Sequence, residues 1–221
     1  MPSDRPIVAA FDLDGTLTEG GSVVKWLQFV AGRTTVYRAI ATHLAPLAYG
    51  AAMSGSAADT AKEALFRDVL QGRPLSEVAD RSAEFARHHV ARELRPQVRA
   101  KLQGHLDAGH HLVLVSASPE LYVGVVAAML GAHGFVGTRL AVDPLGRLTG
   151  GYLGTNCRGE EKLRRLHEWV ASRDLGFEPP ELYAYGNSRG DRRMLAAAEH
   201  PVDCGKLGRF GALRAYPRLG Q

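Results

Sequence analysis

The stretch IVAAFDLDGT, residues 7–16, joins an apolar run to two carboxylates, Asp12 and Asp14, that lie two positions apart. An uninterrupted apolar run followed by turn residues is typical of a buried strand in a parallel sheet. Ionised carboxylates so close together repel one another, so such a pair indicates a bound cation or a shared catalytic role. The stretch therefore predicts a buried strand whose carboxyl end carries a functional site.

Composition indicates a folded protein with one substantial core and room for a second small module, since the chain has 221 residues of which 45% are apolar. Two cysteines, Cys157 and Cys204, are too few for a disulfide framework, and the first residues contain no apolar stretch typical of a secretory signal. We therefore expect a cytoplasmic protein. The net charge is +4, but the basic residues are scattered, which argues against a nucleic-acid partner.

Strand candidates alternate with helical periodicity over much of the chain, and this alternation predicts an α/β fold with a mostly parallel sheet. The clearest strands are IVAAF (7–11), HLVLVS (111–116) and LYAYG (182–186). Helices are predicted from Pro96 onward and over 160–173. Turn residues within 135–154 predict a hairpin, and a short strand is expected near Val202.

Between Thr18 and Arg95 the pattern changes to successive helical segments with no strand candidate between them. Such a stretch is much longer than the single helix of an ordinary crossover. We therefore predict an α/β core formed by 1–18 and 96–221, with a helical cap at 19–95 inserted after the first strand.

Within this cap, residues 36–53 form the most apolar segment, but Arg38, His43 and Pro46 interrupt it. It is marginal for a bilayer span and is expected to be buried helical material. Peripheral membrane contact through this segment remains open as an alternative.

Polar groups follow each clear strand, and ligands of open parallel sheets bind beyond the carboxyl ends of the strands. The candidate residues are Asp12, Asp14, Ser116, Lys162, Asn187 and Asp191. Hard oxygen ligands suit Mg²⁺, while a hydroxyl and an ammonium suit phosphate oxygens. Taken alone, a serine could begin a turn and a lysine could be a solvated helix residue, so the set carries the prediction.

Four motifs occur in order along the chain: FDLDGT (11–16), LVLVSAS (112–118), GEEK (159–162) and YGNSRGD (185–191). With these motifs the chain resembles the haloacid dehalogenase-like hydrolases, and within them subfamily IB, the phosphoserine-phosphatase-like branch. The resemblance covers nearly the whole chain. It implies the family's Rossmann-like α/β core, with a helical cap following the first strand.

The resemblance also implies catalytic roles. Asp12 matches the nucleophile that becomes an aspartyl phosphate, and Asp14 matches the general acid that later activates water as a base. Ser116 and the backbone at Ala117 match the groups that hold phosphate oxygens, and Lys162 compensates charge on the phosphate and the nucleophile.

A Mg²⁺ site is implied as well, formed by Asp12, the Asp14 backbone carbonyl, Asn187 and Asp191. The family commonly has Asp at the position of Asn187. An amide oxygen can still bind Mg²⁺, but the lost negative charge is expected to weaken metal affinity or to alter its pH dependence.

The substrate is less defined. Gly21 stands where phosphoserine phosphatases have a glutamate for the substrate ammonium, and Glu19 is only a conceivable substitute. The carboxylate-binding arginine of those enzymes has no aligned counterpart; Lys62, Arg67 and Arg73 lie in its neighbourhood. Phosphoserine itself is therefore not predicted.

The leading hypothesis is a Mg²⁺-dependent phosphomonoesterase that acts on a small organic phosphate through an aspartyl phosphate. One alternative is a lipid-phosphate substrate for the same mechanism. The other is a non-catalytic module that binds phosphoryl ligands at a metal site weakened by Asn187. The sequence predicts no oligomeric state.

Overall fold

The computed structural model describes residues 5–42, 56–176, 178–206 and 213–220. Within these ranges, five strands form a parallel sheet in the order β3-β2-β1-β6-β7, and β4 pairs with β5 in a separate antiparallel hairpin. The strands are β1 (Ile7–Phe11), β2 (His111–Pro119), β3 (Gly134–Thr138), β4 (Leu140–Val142), β5 (Leu148–Tyr152), β6 (Glu181–Gly186) and β7 (His200–Asp203).

Helices cover both faces of the parallel sheet, and most of the described residues between β1 and β2 are helical. The described helices are α1 (Val23–Ala31), α2 (Arg33–Thr42), α3 (Ser56–Leu70), α4 (Leu75–Glu93), α5 (Pro96–Asp107), α6 (Glu120–Met129), α7 (Glu160–Ala171) and α8 (Arg192–Ala196). Local signals explain several of their ends. Pro96 occupies the first turn of α5, where its missing N–H costs nothing, and Glu160 and Glu161 complement the positive N-terminus of α7.

Strand β1 lies at the centre of the sheet and is buried on both faces, as its continuous apolar run predicts. Ala9 and Phe11 enter one hydrophobic core, whereas Val8 and Ala10 enter the other. In register, Phe11 lies opposite residues of both β2 and β6. The residues that follow β1 and β6 therefore meet at one edge of the sheet, beside β2.

The two connections that lead into and out of helices α1–α4 lie side by side. Thr18 and Leu94 form an antiparallel bridge, and the Glu19 N–H donates to the Glu93 carbonyl at 2.8 Å. We propose that this paired segment is the hinge of the predicted cap, 19–95.

The turn between α3 and α4 also bonds to the β4–β5 hairpin. The Gly72 N–H donates to the Leu148 carbonyl at 2.8 Å, and the Leu148 N–H donates to the Arg73 carbonyl at 2.9 Å. Further along the hairpin, the Tyr152 N–H donates to Glu63 Oε1 at 3.1 Å. Helix α3 is thus held against the hairpin at two levels.

Most of the predicted architecture is confirmed, including the α/β class, the parallel sheet, the three clearest strands, the helices that begin at Pro96 and Glu160, and a strand at Val202. The hairpin predicted within 135–154 is present, but it is shorter than the segment. The first part of the segment is β3, a parallel edge strand of the main sheet, and only β4 and β5 form the hairpin. A strand that pairs with a distant neighbour leaves no local turn signal, so the sequence pattern merged it with the hairpin.

For the apolar segment 36–53, helix α2 accounts for the part up to Thr42, and the remainder lies outside the described residues. Among the described helices, none combines the length and the apolar character that crossing a bilayer requires.

Two glycines of the hairpin test how tightly α3 packs against it. Gly150 and Gly146 both have positive φ, 80° and 75°, but a Cβ at Gly150 would lie 2.3 Å from Arg67 Cα, whereas one at Gly146 would have no atom within 4 Å. We expect Gly146→Ala to lower the free energy of unfolding by about 1 kcal/mol through backbone strain alone. Gly150→Ala is expected to lower it by about 3 kcal/mol, because the helix must also move. Urea unfolding of both variants measures the difference, and equal losses would contradict the packing described.

Candidate active site

A buried lysine joins two carboxylates at the carboxyl edge of the sheet. Lys162, in the first turn of α7, donates from Nζ to Asp12 Oδ1 at 2.7 Å and to Asp191 Oδ1 at 2.5 Å. All three side chains are at most 7% exposed. The triad therefore links the residue after β1, the start of α7 and the turn after β6.

The second oxygen of Asp12 faces a different partner. Thr16 Oγ1 donates to Asp12 Oδ2 at 2.8 Å and lies 3.3 Å from Asn187 Oδ1. The neighbouring Gly15 has a φ of 79°, and a Cβ there would lie 2.1 Å from Asn187 Nδ2. Glycine is required at this position because the turn after β1 and the side chain after β6 approach so closely.

Arg95, next to the paired segment at Leu94, also binds the backbone of the turn after β1. Its Nη1 donates to the carbonyl of Gly15 at 2.7 Å and to that of Cys204 at 2.8 Å, and a third carbonyl, of Thr16, lies at 3.1 Å. One guanidinium thus ties the site turn to the chain after β7.

Both oxygens of Asp191 are occupied by protein donors. Oδ1 accepts from Lys162, and Oδ2 accepts from the backbone N–H of Asn187 at 3.2 Å, the backbone N–H of Ser188 at 2.9 Å and the Ser188 hydroxyl at 2.8 Å. The bond from the Ser188 N–H forms one half of a capping box around the short 3₁₀ turn Arg189–Asp191, and the Ser188 hydroxyl accepts from backbone N–H groups of the turn in the other half. Asp191 therefore shapes the loop that presents Asn187.

Burial and charge act in opposite directions on this triad. Burial, together with the nearby Asp191 carboxylate, raises the pKa of Asp12 to about 7, although Lys162 opposes the shift. Burial also disfavours the charged form of Asp191, but the bonds from Lys162 and Ser188 outweigh it and lower its pKa. For Lys162, burial is outweighed by the two carboxylates, which raise its pKa well above the ordinary lysine value.

Asp14 is held separately from this triad. Its Oδ1 accepts from the backbone N–H of Ser22 at 2.6 Å, and its Oδ2 accepts from the Ser118 hydroxyl. Ser22 in turn exchanges a 2.7 Å hydrogen bond with the Tyr122 hydroxyl. The Asp14 carboxylate is thus oriented by a residue just before α1 and by the segment that follows Ser116.

The segment Ser116–Ser118 lies within β2, where the pairing with β3 shifts register, and we call it the phosphate loop after the phosphate-binding motif that it resembles. The Ser118 N–H donates to Ser116 Oγ at 3.1 Å. The Ala117 carbonyl accepts from Thr138 Oγ1 at 2.7 Å and from Lys62 Nζ, on α3, at 2.6 Å. Ser116 is buried, so its hydroxyl is held rather than free to rotate into solvent.

The oxygens around Thr16 fit a small, hard cation. Asp12 Oδ2 and Asn187 Oδ1 converge on the same hydroxyl, at 2.8 and 3.3 Å. Within the described ranges, no cluster of three or more histidine, cysteine or acidic side chains could hold a metal. Mg²⁺ is commonly held by one or two carboxylates with water and substrate oxygens completing its shell, so a carboxylate and an amide suit it.

The structure brings Asp12, Lys162, Asn187 and Asp191 into one connected group, and Ser118 connects Ser116 to Asp14. The two cysteines are unpaired and buried, as expected. Glu19, the suggested replacement for a cap glutamate, lies at the hinge and pairs with Lys206 at 2.5 Å.

Of the three cap cations considered from the sequence, Lys62 reaches the phosphate loop. Arg67 instead lies 4.0 Å from Glu63 on the surface of α3. Arg73 lies 3.7 Å from Glu77, in the first turn of α4.

Sequence reasoning missed Thr16, Ser22 and Ser118 as site residues. Thr16 and Ser118 lie within the quoted motifs, which was the only available signal. Single hydroxyls are common beside strands, and their roles become visible only when their partners from other elements are placed.

Comparison with known proteins supports the family predicted from the motifs. The model of the family described as haloacid dehalogenase-like hydrolase matches residues 9–196. Protein CicA of Caulobacter vibrioides is 35% identical over 195 residues, which cover 88% of this chain and 84% of CicA.

A second relative is similar over most of the chain, and a solved structure shares the fold. A histidinol-phosphatase of Neisseria meningitidis is 28% identical over 213 residues, which cover 88% of each chain. A solved phosphoserine phosphatase, a phospho-aspartyl intermediate analogue, superimposes with a TM-score of 0.62 at 16% identity, over 92% of this chain and 88% of that one. This likeness confirms the expected fold. With the family model spanning most of its length, the chain belongs to the haloacid dehalogenase-like hydrolases, and it is an enzyme of that hydrolase family.

Proposed function

We propose that this protein is a Mg²⁺-dependent phosphomonoester hydrolase that uses Asp12 as its nucleophile. The observation that carries the proposal is the buried Asp12 carboxylate, held between Lys162 and Thr16 at the end of β1, with Asp14 oriented separately two residues later. The relative named histidinol-phosphatase supports phosphate-ester chemistry in this part of the family.

The reaction consists of two displacements at phosphorus. An Asp12 carboxylate oxygen forms a bond to phosphorus while the ester P–O bond breaks, and Asp14 gives a proton to the departing oxygen. Water then attacks the phosphoryl group on Asp12, its proton passes to Asp14, and the P–O bond to Asp12 breaks. Inorganic phosphate leaves, and both carboxylates return to their starting forms.

The remaining residues position and neutralise charge. Ser116 Oγ and the backbone of the phosphate loop are proposed to bind phosphate oxygens, while Lys162 offsets the charge shared by the phosphate and Asp12. When bound, Mg²⁺ would supply positive charge to the phosphate oxygens. Asp12, the Asp14 carbonyl and Asn187 would hold it.

Asp191 is proposed to act differently from the role that the resemblance implied. Both of its oxygens already accept hydrogen bonds from Lys162, Ser188 and the Asn187 backbone. We propose that it holds Lys162 and shapes the Asn187 loop, and that it influences the metal only through those residues.

The proposed substrate class is a small organic phosphate. Phosphoserine is disfavoured, because Gly21 offers no side chain and Glu19 is engaged by Lys206. The apolar segment 36–53 suggests a lipid phosphate as an alternative substrate. The part of this segment beyond Thr42 lies outside the described residues, so the lipid phosphate stays an alternative. A non-catalytic binding module is the remaining alternative, and turnover assays distinguish it.

The first prediction concerns turnover of an artificial ester. Purified protein with Mg²⁺ is expected to release p-nitrophenol from p-nitrophenyl phosphate, and EDTA is expected to abolish the release. Asp12→Asn should lose at least about 1,000-fold in kcat, because covalent catalysis is no longer available. Asp107→Asn, an exposed carboxylate at the end of α5, is the matched control and should retain full activity. Full activity in Asp12→Asn would sink the proposal, and silence of every form across a Mg²⁺ titration would favour the binding module.

The second prediction separates proton donation from attack. Asp14→Asn should lower kcat/KM for an alkyl phosphate by about 100-fold or more, because an alkoxide needs a proton as it leaves. For p-nitrophenyl phosphate the loss should stay below about tenfold, since p-nitrophenolate leaves without one. The ratio kcat/KM reports the first displacement and is unaffected by later hydrolysis of the intermediate. Equal losses on both esters would argue against Asp14 as the general acid.

The third prediction concerns stability without metal. Since the folded-state pKa of Asp12 is raised to about 7, its contribution to stability is complete below the ordinary carboxyl pKa and is lost as the pH rises through about 7. Asn mimics the protonated form. In EDTA at pH 8, Asp12→Asn should therefore be more stable than wild type by about 1–3 kcal/mol, and the difference should shrink toward pH 4. Urea unfolding at both pH values provides the measurement. A variant less stable than wild type at pH 8 would contradict the electrostatic description.

A further inference from the structure

Lys62 is a cap lysine whose ammonium lies inside the protein. From α3, its Nζ donates to the Ala117 carbonyl at 2.6 Å and to Asn156 Oδ1 at 2.9 Å. The same nitrogen lies 5.5 Å from the ring centre of Phe66 and 5.9 Å from that of Tyr152. Two oxygen acceptors and two aromatic rings therefore surround this cation.

Placing a lysine here is costly. Burial lowers the pKa of Lys62 to about 8, although the Asp59 and Asp14 carboxylates oppose the shift. An apolar side chain of similar length would fill the space without that cost. Buried ionisable groups with perturbed pKa values are concentrated at functional sites. The contacts of this ammonium are therefore expected to serve the site.

The contact with Ala117 controls the geometry of the phosphate loop. The peptide unit between Ala117 and Ser118 is planar, so anchoring its carbonyl also fixes the direction of the Ser118 N–H. That N–H donates to Ser116 Oγ at 3.1 Å, and the Ser118 hydroxyl donates to Asp14. Lys62 thus acts, through one peptide unit, on a proposed phosphate ligand and on the proposed general acid.

A second set of bonds links α3 to the same region. Asn156 Oδ1 accepts from Lys62 and lies 2.7 Å from Thr138 Oγ1, whose single proton it shares with the Ala117 carbonyl, and Asn156 Nδ2 donates to Asp59 Oδ1 at 2.6 Å. Arg158 lies 3.8 Å from the same Asp59 oxygen. Asn156 therefore accepts a hydrogen bond from Lys62 and donates one to Asp59, both on α3. The two bonds can form together only when α3 is packed against the core.

We infer that Lys62 is a positioning residue that couples the seating of the cap to the geometry of the phosphate loop. The inference rests on the proposed function, in which this loop binds phosphate. When α3 is seated, the Ala117 carbonyl has two donors, Lys62 and Thr138. When α3 moves away, one donor is lost and the Ser118 N–H and hydroxyl are less well oriented. The phosphate loop is thereby completed only under a closed cap.

The test compares Lys62→Met with Arg67→Met, a change on the same helix whose side chain is largely exposed and faces Glu63. Methionine keeps the length and volume of the lysine stem but has no donor. Inorganic phosphate binding, measured by calorimetry in Mg²⁺, should weaken about tenfold or more in Lys62→Met, equivalent to about 1.4 kcal/mol. Amide hydrogen exchange of a peptide covering 112–122 should become faster in the same variant. Arg67→Met should change neither.

One further variant provides a second test of the same contact. Lys62→Gln retains a polar tip that ends short of Ala117, so it provides a milder change if the methionine variant does not fold, and it should show the same two effects. If phosphate affinity and loop exchange in both Lys62 variants equal those of Arg67→Met, the inference is overturned. If loop exchange rises while wild type neither binds phosphate nor hydrolyses esters, the coupling stands and the proposed function fails.

Discussion

The bonds from the Lys162 ammonium to Asp12 and Asp191 are the interaction on which the site depends. Two buried carboxylates close to one another would be strongly destabilising without a cation between them, and burying any of the three alone would cost several kcal/mol. Gly186 shows how the backbone adapts to the arrangement, because a Cβ there would lie 2.5 Å from Asp191 Cβ. The triad thereby fixes the end of β1, the start of α7 and the turn after β6 relative to one another.

Around this triad the sheet supplies a rigid base, and helices α1–α4 pack beside it. Strand β1 is buried on both faces, so the position of Asp12 is set by two hydrophobic cores rather than by a loop. Helices α1–α4 share a hydrophobic core with the sheet, where the rings of Trp26 and Phe85 pack against Tyr122. Hydrogen bonds add to this packing between Gly72 and Leu148 and between Lys62 and the phosphate loop. Apolar packing thus fixes Asp12 and also holds helices α1–α4 on the sheet, while the hydrogen bonds orient individual groups around the site.

Sequence alone predicted the elements with strong local signals. The apolar run before Asp12, the proline at the start of α5 and the four motifs placed the main chemical groups, because carboxyl ends of parallel strands share one edge. It did not predict the separate strand β3, whose partner is distant in the chain. It assigned no role to Ser118 or Lys62, since a hydroxyl or a cap cation gains meaning only from the elements packed against it. The bonding of Asp191 was also hidden, because a carboxylate in a motif looks the same whether it faces a metal or a lysine.

The proposed function depends above all on covalent phosphorylation of Asp12. The most direct measurement is rapid acid quenching during turnover of p-nitrophenyl phosphate with Mg²⁺, followed by borohydride reduction and peptide mass spectrometry. We expect borohydride to convert Asp12, and no other carboxylate, to homoserine, and we expect the conversion to disappear when substrate or Mg²⁺ is omitted. Steady turnover without any modification of Asp12, or with the label on a different residue, would contradict a covalent role for Asp12.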